Sequence, residues 1–361
     1  MSKRMVEQFM EMVRIDSESG NEQQMMEYLL KAIPECGGEA ELDDYGNLVA
    51  RFPEKGCTGC EPILLSCHAD TVQPGKGIEP VLEDGIIRSK GNTILGADDK
   101  GGIAEVLEAM RISEVRPPIE FAVSRQEEVG LLGVKNLDFS KLTAKRGFLL
   151  DNDTLETIVV GGPSYFAIDV EITGRGAHAG MEPEKGINAI LAAAMAISNL
   201  RLGRLDAATT ANVGVIEGGL IRNGVPEHAK FLAECRSADH AKGEELVQEM
   251  LGIINQEVEK VGAKAKIEVN NLCKAVLIPD DSPTVLIAQE AYKSLGITSV
   301  PVTITGFTDA SIYNNMGIEM AVVGMGAQLE HSVNECIAVA DMEKGLQALV
   351  EMLRLSTTWK W

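Results

Sequence analysis

Near the start of the chain Val6, Phe9, Met10 and Val13 recur at the spacing of one helix face. Residues 19–22 then have the Ser-x-x-Glu form of a capping box, which predicts a second helix. Short apolar runs follow at residues 63–65, 119–123, 148–150 and 320–323, separated by helix-period stretches such as Ile103, Val106, Leu107 and Met110. Buried runs of strand length alternating with helices predict an α/β fold, a mixed sheet with helices on both faces.

From residue 164 to about residue 273 the period changes. Phe166, Ile168, Val170 and Ile172 alternate with Asp169, Glu171 and Thr173, as in a strand with one wet face. A helix over 186–200, strands over 212–216 and 229–235, a helix carrying Leu246, Met250, Ile253 and Val261, and a strand over 265–269 complete the pattern. Strand, helix, two strands, helix, strand is the split βαβ order of a smaller α+β ferredoxin-like domain. We place this domain at 164–274, inserted into a first domain made of 1–163 and 275–361, where helices near 282–295 and 341–355 resume the earlier alternation. A length of 361 residues already favours two domains over one.

Composition narrows the class of protein. Apolar residues at 45% and charged residues at 24% describe an ordinary globular chain with material for a core. A formal charge of -21 repels phosphate backbones and anionic lipid, so neither nucleic acid nor membrane is an expected partner. The first residues lack the apolar centre of a signal peptide, and no run of about 18 uncharged apolar residues occurs, which leads us to expect a cytoplasmic protein. Seven cysteines, an odd number, argue against a disulfide framework. Cys57 and Cys60 form a CxxC; a redox or zinc role for it is the minor reading, because no second pair accompanies it and it sits in a Gly-rich turn. The fifteen methionines are read as core filler.

The candidate chemistry follows the apolar runs. Residues 63–65 lead into His68 and Asp70, residues 119–123 into Glu127 and Glu128, residues 148–150 into Asp151, and residues 320–323, through a Gly-rich loop, into His331. Each group falls just past the carboxyl end of a predicted strand, the edge where open α/β sheets build their sites. Asp98 comes from the Gly-rich stretch ahead of the helix that starts near Ile103. Two histidines and three acids can serve two metals sharing one carboxylate, and the imidazoles favour zinc or a neighbouring transition metal over magnesium or calcium. Taken singly, His-Ala-Asp reads as a surface turn and Glu-Glu as a solvated face. The chain has five histidines, and three of them, His68, His178 and His331, lie in Gly- or acid-rich motifs.

With these motifs in order (LLSCHADTV, GADDKGG, Glu127-Glu128, FLLD and EHSVNE), essentially the whole chain resembles the dizinc peptidase family that includes peptidase T, carboxypeptidase G and acetylornithine deacetylase. The resemblance implies that His68 and Asp151 share one zinc, that Glu128 and His331 hold the other, and that Asp98 bridges them, with cobalt or manganese as substitutes. It makes Asp70 the acid that orients the His68 imidazole, Glu127 the general base, and the Asp98–Asp99 bond one that is cis in relatives. It matches His178 to a lid histidine that donates to the oxyanion, and Asn223 and Arg236 to positions gripping a substrate carboxylate. Without it, Arg236 would be read as half of a surface ion pair. The inserted domain is then a lid and dimerisation domain, implying a homodimer.

The closest motif text is that of peptidase T-like members, which implies a tripeptide aminopeptidase acting on short peptides. In those members an arginine precedes a Gly-Gly-Thr-Asp loop, whereas this chain reads Ile304-Thr305-Gly306-Phe307-Thr308-Asp309. Thr308 and Asp309 are thus expected at the substrate, with one carboxylate anchor missing. A carboxypeptidase or N-acyl amino acid deacylase would use the same metals. A non-catalytic binding protein on this fold would not need Glu127 and all five ligands.

Overall fold

The computed structural model describes residues 3–359. The chain forms two units, residues 162–276 with 304–307 in one and the remaining described segments in the other.

In the larger unit four parallel strands form the centre of a mixed sheet, in the order Ile119–Ser124, Ile63–His68, Arg146–Asn152 and Glu319–Gly324. Antiparallel strands Leu48–Phe52 and Glu39–Leu42 extend one side, and Thr157–Gly162 with Val300–Thr303 the other. Every residue of Ile63–His68 and of Ile119–Ser124 is buried, the pattern of strands covered on both faces. The register aligns His68 with Ser124, Ser66 with Leu149, and Gly324 with Asn152, so the carboxyl ends of all four strands reach one edge together. Helix Ala97–Ile112 packs against Lys3–Val13 and against Val339–Ser356, and the core residues Phe9, Leu107, Phe121, Phe148 and Leu349 join a single apolar cluster.

Two features depart from the sequence pattern. Ser19 and Glu22 do not form a capping box: helix Gln23–Glu35 starts without a side-chain cap, Ser19 Oγ donates to Asp70 Oδ2 at 2.7 Å, and Glu22 is buried against Arg125. A second, antiparallel sheet of Ala327–Gln328, Cys336–Ala338, Ile86–Ser89 and Pro80–Glu83 was not anticipated. Its strands are two to four residues long, too short to carry a period. Its first two strands turn residues 329–335 into a hairpin loop, and that loop carries His331.

The smaller unit is an antiparallel sheet in the order Gly203–Asp206, Thr209–Gly218, His228–Ser237, Ser164–Thr173, Lys264–Cys273, with helices Ala189–Asn199 and His240–Lys260. Phe166, Ile168, Val170, Ile172 and Phe231 from the sheet meet Ala192, Ala196, Met250 and Ile254 from the helices in a separate core. Asn188 and Asp239 cap the two helices by accepting from Leu191 N and Lys242 N. Residues 304–307, which the sequence pattern assigns to the other unit, belong here because the Phe307 ring stacks on Tyr165 at 5.2 Å between centroids.

Helix Ala97–Ile112 descends closely onto the sheet at Gly102, where an added Cβ would lie 2.4 Å from Asp99 Oδ1 and 2.6 Å from the Leu150 carbonyl. Gly102→Ala is expected to destabilise the larger unit by about 1–3 kcal/mol, the range for overpacking, read as a lower midpoint in thermal unfolding. An unchanged midpoint would mean that the helix is free to lift away.

Candidate metal centre

The acids and imidazoles singled out in the larger unit converge at the carboxyl edge of its parallel strands. His68 ends one strand and Asp151 is the penultimate residue of its neighbour, with His68 Nε2 3.8 Å from Asp151 Oδ1. Asp98 sits at the start of helix Ala97–Ile112 in non-helical backbone, and its peptide bond to Asp99 is cis. Its two oxygens face different partners: Oδ1 is 2.9 Å from His68 Nε2 and Oδ2 is 3.3 Å from His331 Nε2. His331 Nε2 in turn lies 3.0 Å from Glu128 Oε1.

These donors fit a pair of divalent ions. Ligand atoms of His68, Asp98 and Glu128 lie within 4.8 Å of one another, as do those of His68, Asp99 and Asp151. Asp99 is better read as an anchor than as a ligand, since its Oδ2 accepts the His68 amide at 3.1 Å. Imidazole nitrogen plus carboxylate oxygen is a zinc-type donor set.

Buried groups around the cluster fix its loops. Asp70 Oδ1 accepts from Glu127 N at 2.9 Å and Oδ2 from Glu128 N at 3.2 Å. His68 Nδ1 donates to the Asp70 main-chain carbonyl at 3.0 Å, while the Asp70 carboxylate is 3.5 Å away. Asp70 therefore orients the imidazole mainly through its backbone and spends its carboxylate on the Glu127-Glu128 turn. Glu22 binds Arg125 through Nε and Nη2 at 2.9 and 2.8 Å and accepts from Gln126 N at 3.2 Å, and Tyr45 donates to Gln126 Oε1 at 2.6 Å. Glu335 accepts four consecutive amides, from Leu95, Gly96, Ala97 and Asp98, at 2.7 to 3.1 Å. Gln126 and His331 both adopt positive φ, 52° and 58°, an uncommon conformation for such residues that recurs at functional loops. Sequence reasoning missed Glu22 and Glu335; the last residue of EHSVNE was the available signal for the second.

The electrostatics are those of crowded acids. Burial favours the neutral form of Asp98, yet hydrogen bonds from His331 and His68 overcome it and hold the carboxyl below its usual range. Burial, reinforced by Asp98, pushes Asp151 well above that range. Burial also raises Glu127, with Asp151, Asp309 and Glu128 adding repulsion that His68 only partly offsets. His331 is pushed up to about 11 by its hydrogen bonds to Asp98 and Glu128. The Glu127 carboxylate makes no hydrogen bond among the described residues, which leaves it free for a proton.

Asp309, expected at the substrate, is 1% exposed; its Oδ2 accepts from Ser124 Oγ, and burial pushes it up to about 7. It is tied to the last residue of strand Ile119–Ser124, and half-buried Thr308 is the more accessible of the pair.

In the smaller unit His178 pairs with Gly224 in a two-residue ladder, and Ala179 N donates to Asn223 O at 3.0 Å, so His178 and Asn223 are neighbours. Both are exposed. His178 Nδ1 accepts from Gly180 N and Met181 N at 3.2 Å, which leaves Nε2 to carry the ring proton as an outward donor. Arg236 sits apart, its guanidinium carbon 4.5 Å from the Tyr165 ring centroid and 5.6 Å from that of Phe307, with Nη2 3.0 Å from Glu234 and Nη1 donating to Thr305 O at 3.1 Å. Its Nε makes no hydrogen bond among the described residues.

Comparison with known proteins gives concordant likenesses. The model of the M20 peptidase dimerisation domain matches residues 164–262, and that of peptidase family M28 matches residues 47–194. The chain is 36% identical to the Bacillus subtilis protein YqjE, over 97% of this chain and 98% of that one. The crystal structure of aminopeptidase PepT from Bacillus cereus superposes with a TM-score of 0.91 at 36% identity, covering 98% of each chain. That of a tripeptidase from Staphylococcus aureus gives a TM-score of 0.94 at 32% identity, covering 99% of each.

Since Glu335 holds four amides of the loop that presents Asp98, Glu335→Ala should weaken divalent-metal affinity roughly 10- to 100-fold, the usual effect of losing an outer partner. Competition with a chelator measures it, and unchanged affinity would show that other contacts fix the loop.

Proposed function

Because the chain belongs to the peptidase T-like branch of the M20 metallopeptidases, we propose that it is a dinuclear zinc aminopeptidase of short peptides, with tripeptides as the leading substrates. The observation that carries this reading is Asp98, one oxygen turned to His68 and the other to His331, the posture of a carboxylate shared by two ions. His68 and Asp151 would hold one ion and Glu128 and His331 the other. Cation binding would release the imidazole protons that otherwise offset the acids.

Bound there, two divalent ions would supply Lewis acidity toward the scissile carbonyl and bring the pKa of attacking water near neutrality. Glu127 takes the proton of that water and returns it to the leaving amine. Its raised proton affinity suits both halves of the transfer. Asp70 keeps Glu127 and Glu128 in register, so that one carboxylate binds while its neighbour stays free. His178 Nε2 is assigned the donor role toward the developing oxyanion, and Arg236 that of holding the peptide carboxylate. The match of residues 164–262 to a dimerisation domain supports a homodimer through the smaller unit. All seven cysteines are free, in keeping with a reducing, cytoplasmic compartment. No helix of the described residues is long and apolar enough to cross a membrane.

Glu127→Ala is expected to keep two metals per chain by elemental analysis while tripeptide turnover falls about a hundred- to ten-thousand-fold. Lost metal with surviving turnover would exchange the roles of Glu127 and Glu128. A parallel screen of tripeptides against N-acyl amino acids tests the substrate: release from the acylated compounds alone would overturn the aminopeptidase reading. His178→Ala should lower kcat roughly a hundred- to a thousand-fold with little change in KM, and Arg236→Ala should mainly raise KM. Normal turnover in the first, or an unchanged KM in the second, assigns that residue to structure alone.

A further inference from the structure

Outside the centre described above, one more cluster of metal-type donors occurs among the described residues, and it contains the CxxC. The Glu54 carboxylate and the sulfurs of Cys57 and Cys60 lie within 4.8 Å of one another, in the loop between strands Leu48–Phe52 and Ile63–His68. The loop is built rather than merely close. Lys55 N donates to Arg116 O at 3.0 Å and Arg116 N to Lys55 O at 2.8 Å, clamping its base. Cys57 Sγ donates to Arg116 O at 3.3 Å, and Glu54 Oε2 accepts from Gly59 N at 3.0 Å, which leaves Oε1 available. Each cysteine follows a glycine at positive φ, Gly56 at 68° and Gly59 at 70°, and these two turns fold both sulfurs back towards Glu54. At Gly56 a Cβ would lie 2.6 Å from Glu114 O, so the turn there requires glycine.

We propose that Glu54, Cys57 and Cys60 form a further metal site, taking one soft divalent cation of the zinc or cadmium class, separate from the peptidase centre. Two thiolates and a carboxylate are a soft donor set suited to a tetrahedral ion, with the fourth position open to solvent because all three residues are only half-buried. The charges balance: the three ligands carry three negative charges, the cation cancels two, and buried Arg116, whose Nε makes no hydrogen bond among the described residues, offsets the third. Binding transfers no electrons. Each thiol gives up its proton to solvent as its sulfur bonds to the ion, so the site takes one cation and releases two protons. It stands at the amino end of the strand whose carboxyl end is His68, a strand of six residues spanning roughly 17 Å, so no donor serves both centres.

The test compares the reduced, anaerobic holoprotein with its Cys57→Ser/Cys60→Ser variant, both titrated with cobalt and with cadmium. The wild type should take up one equivalent more than the variant, with thiolate-to-cobalt charge-transfer absorption in the near ultraviolet and release of two protons on that equivalent, none of which the variant shows. Peptidase activity should be the same in both, since neither cysteine belongs to the catalytic machinery. Equal stoichiometry in the two proteins, or an extra equivalent without the thiolate band, overturns the proposal. So does a Cys57–Cys60 disulfide that persists with zinc and reduced glutathione present, which would make the pair a redox element instead. The readout is a difference between two proteins, so it stands whatever number of ions the peptidase centre binds.

Discussion

Burial of like charge at one edge of the parallel sheet is the constraint on which the rest of the structure turns. Asp98, Glu127, Glu128 and Asp151 crowd round two imidazoles, and at Glu127 and Asp151 the neighbouring carboxylates add to the burial that raises their proton affinity. Such an arrangement persists only if something compensates it. The imidazoles provide part of the compensation, and the first turn of helix Ala97–Ile112, with Asp98 and Asp99 at its positive end, provides another part. The remainder is what makes the edge a place for cations.

A second tier of acids works in the opposite sense. Asp70, Glu22 and Glu335 are also buried, but their oxygens are spent on main-chain N–H groups, a Ser hydroxyl or a guanidinium. Saturated in this way, a carboxylate becomes a bracket that holds loop backbone in one place. Asp70 grips the turn carrying Glu127 and Glu128, Glu22 grips the residues just before it, and Glu335 grips the loop ending in Asp98. Asp98 and Glu128 face imidazoles and Glu127 faces no donor among the described residues, whereas the outer acids are filled, so chemistry and scaffold are divided by where the donors go.

This division explains which parts were legible from the chain alone. An apolar run followed by a polar residue marks the end of a buried strand, which singled out His68, Glu128, Asp151 and, past a Gly-rich loop, His331, while the Gly-rich start of a helix singled out Asp98. The alternation of Phe166, Ile168, Val170 and Ile172 likewise revealed the sheet of the smaller unit. Long-range hydrogen bonds leave no such trace. Ser19 and Glu22 have the spacing of a helix cap, yet tertiary partners claim both side chains, Asp70 for the first and Arg125 for the second. Asp309 stood in a motif associated with substrate, but only folding reveals that Ser124 lies over it. Strands of two residues, such as Ala327–Gln328, carry no periodicity, so the hairpin that presents His331 was invisible before folding.

The two halves of the centre are unequal, and their inequality follows from how each histidine is carried. The His68 side chain is 2% exposed because it ends a central strand flanked on both sides, whereas that of His331, on a hairpin loop, is 56% exposed. A side chain fixed in a strand moves only with the sheet; one on a loop with positive φ can shift by local rotation. The Asp98 carboxylate joins these environments, with its inner oxygen toward the rigid half and its outer oxygen toward the adjustable one. Glu127 follows directly before the outer acid, Glu128, on a turn that Asp70 secures from below. Rigidity thus lies beneath the centre and access above it at His331, and Glu127, proposed to carry the proton, has its backbone tied to the rigid side.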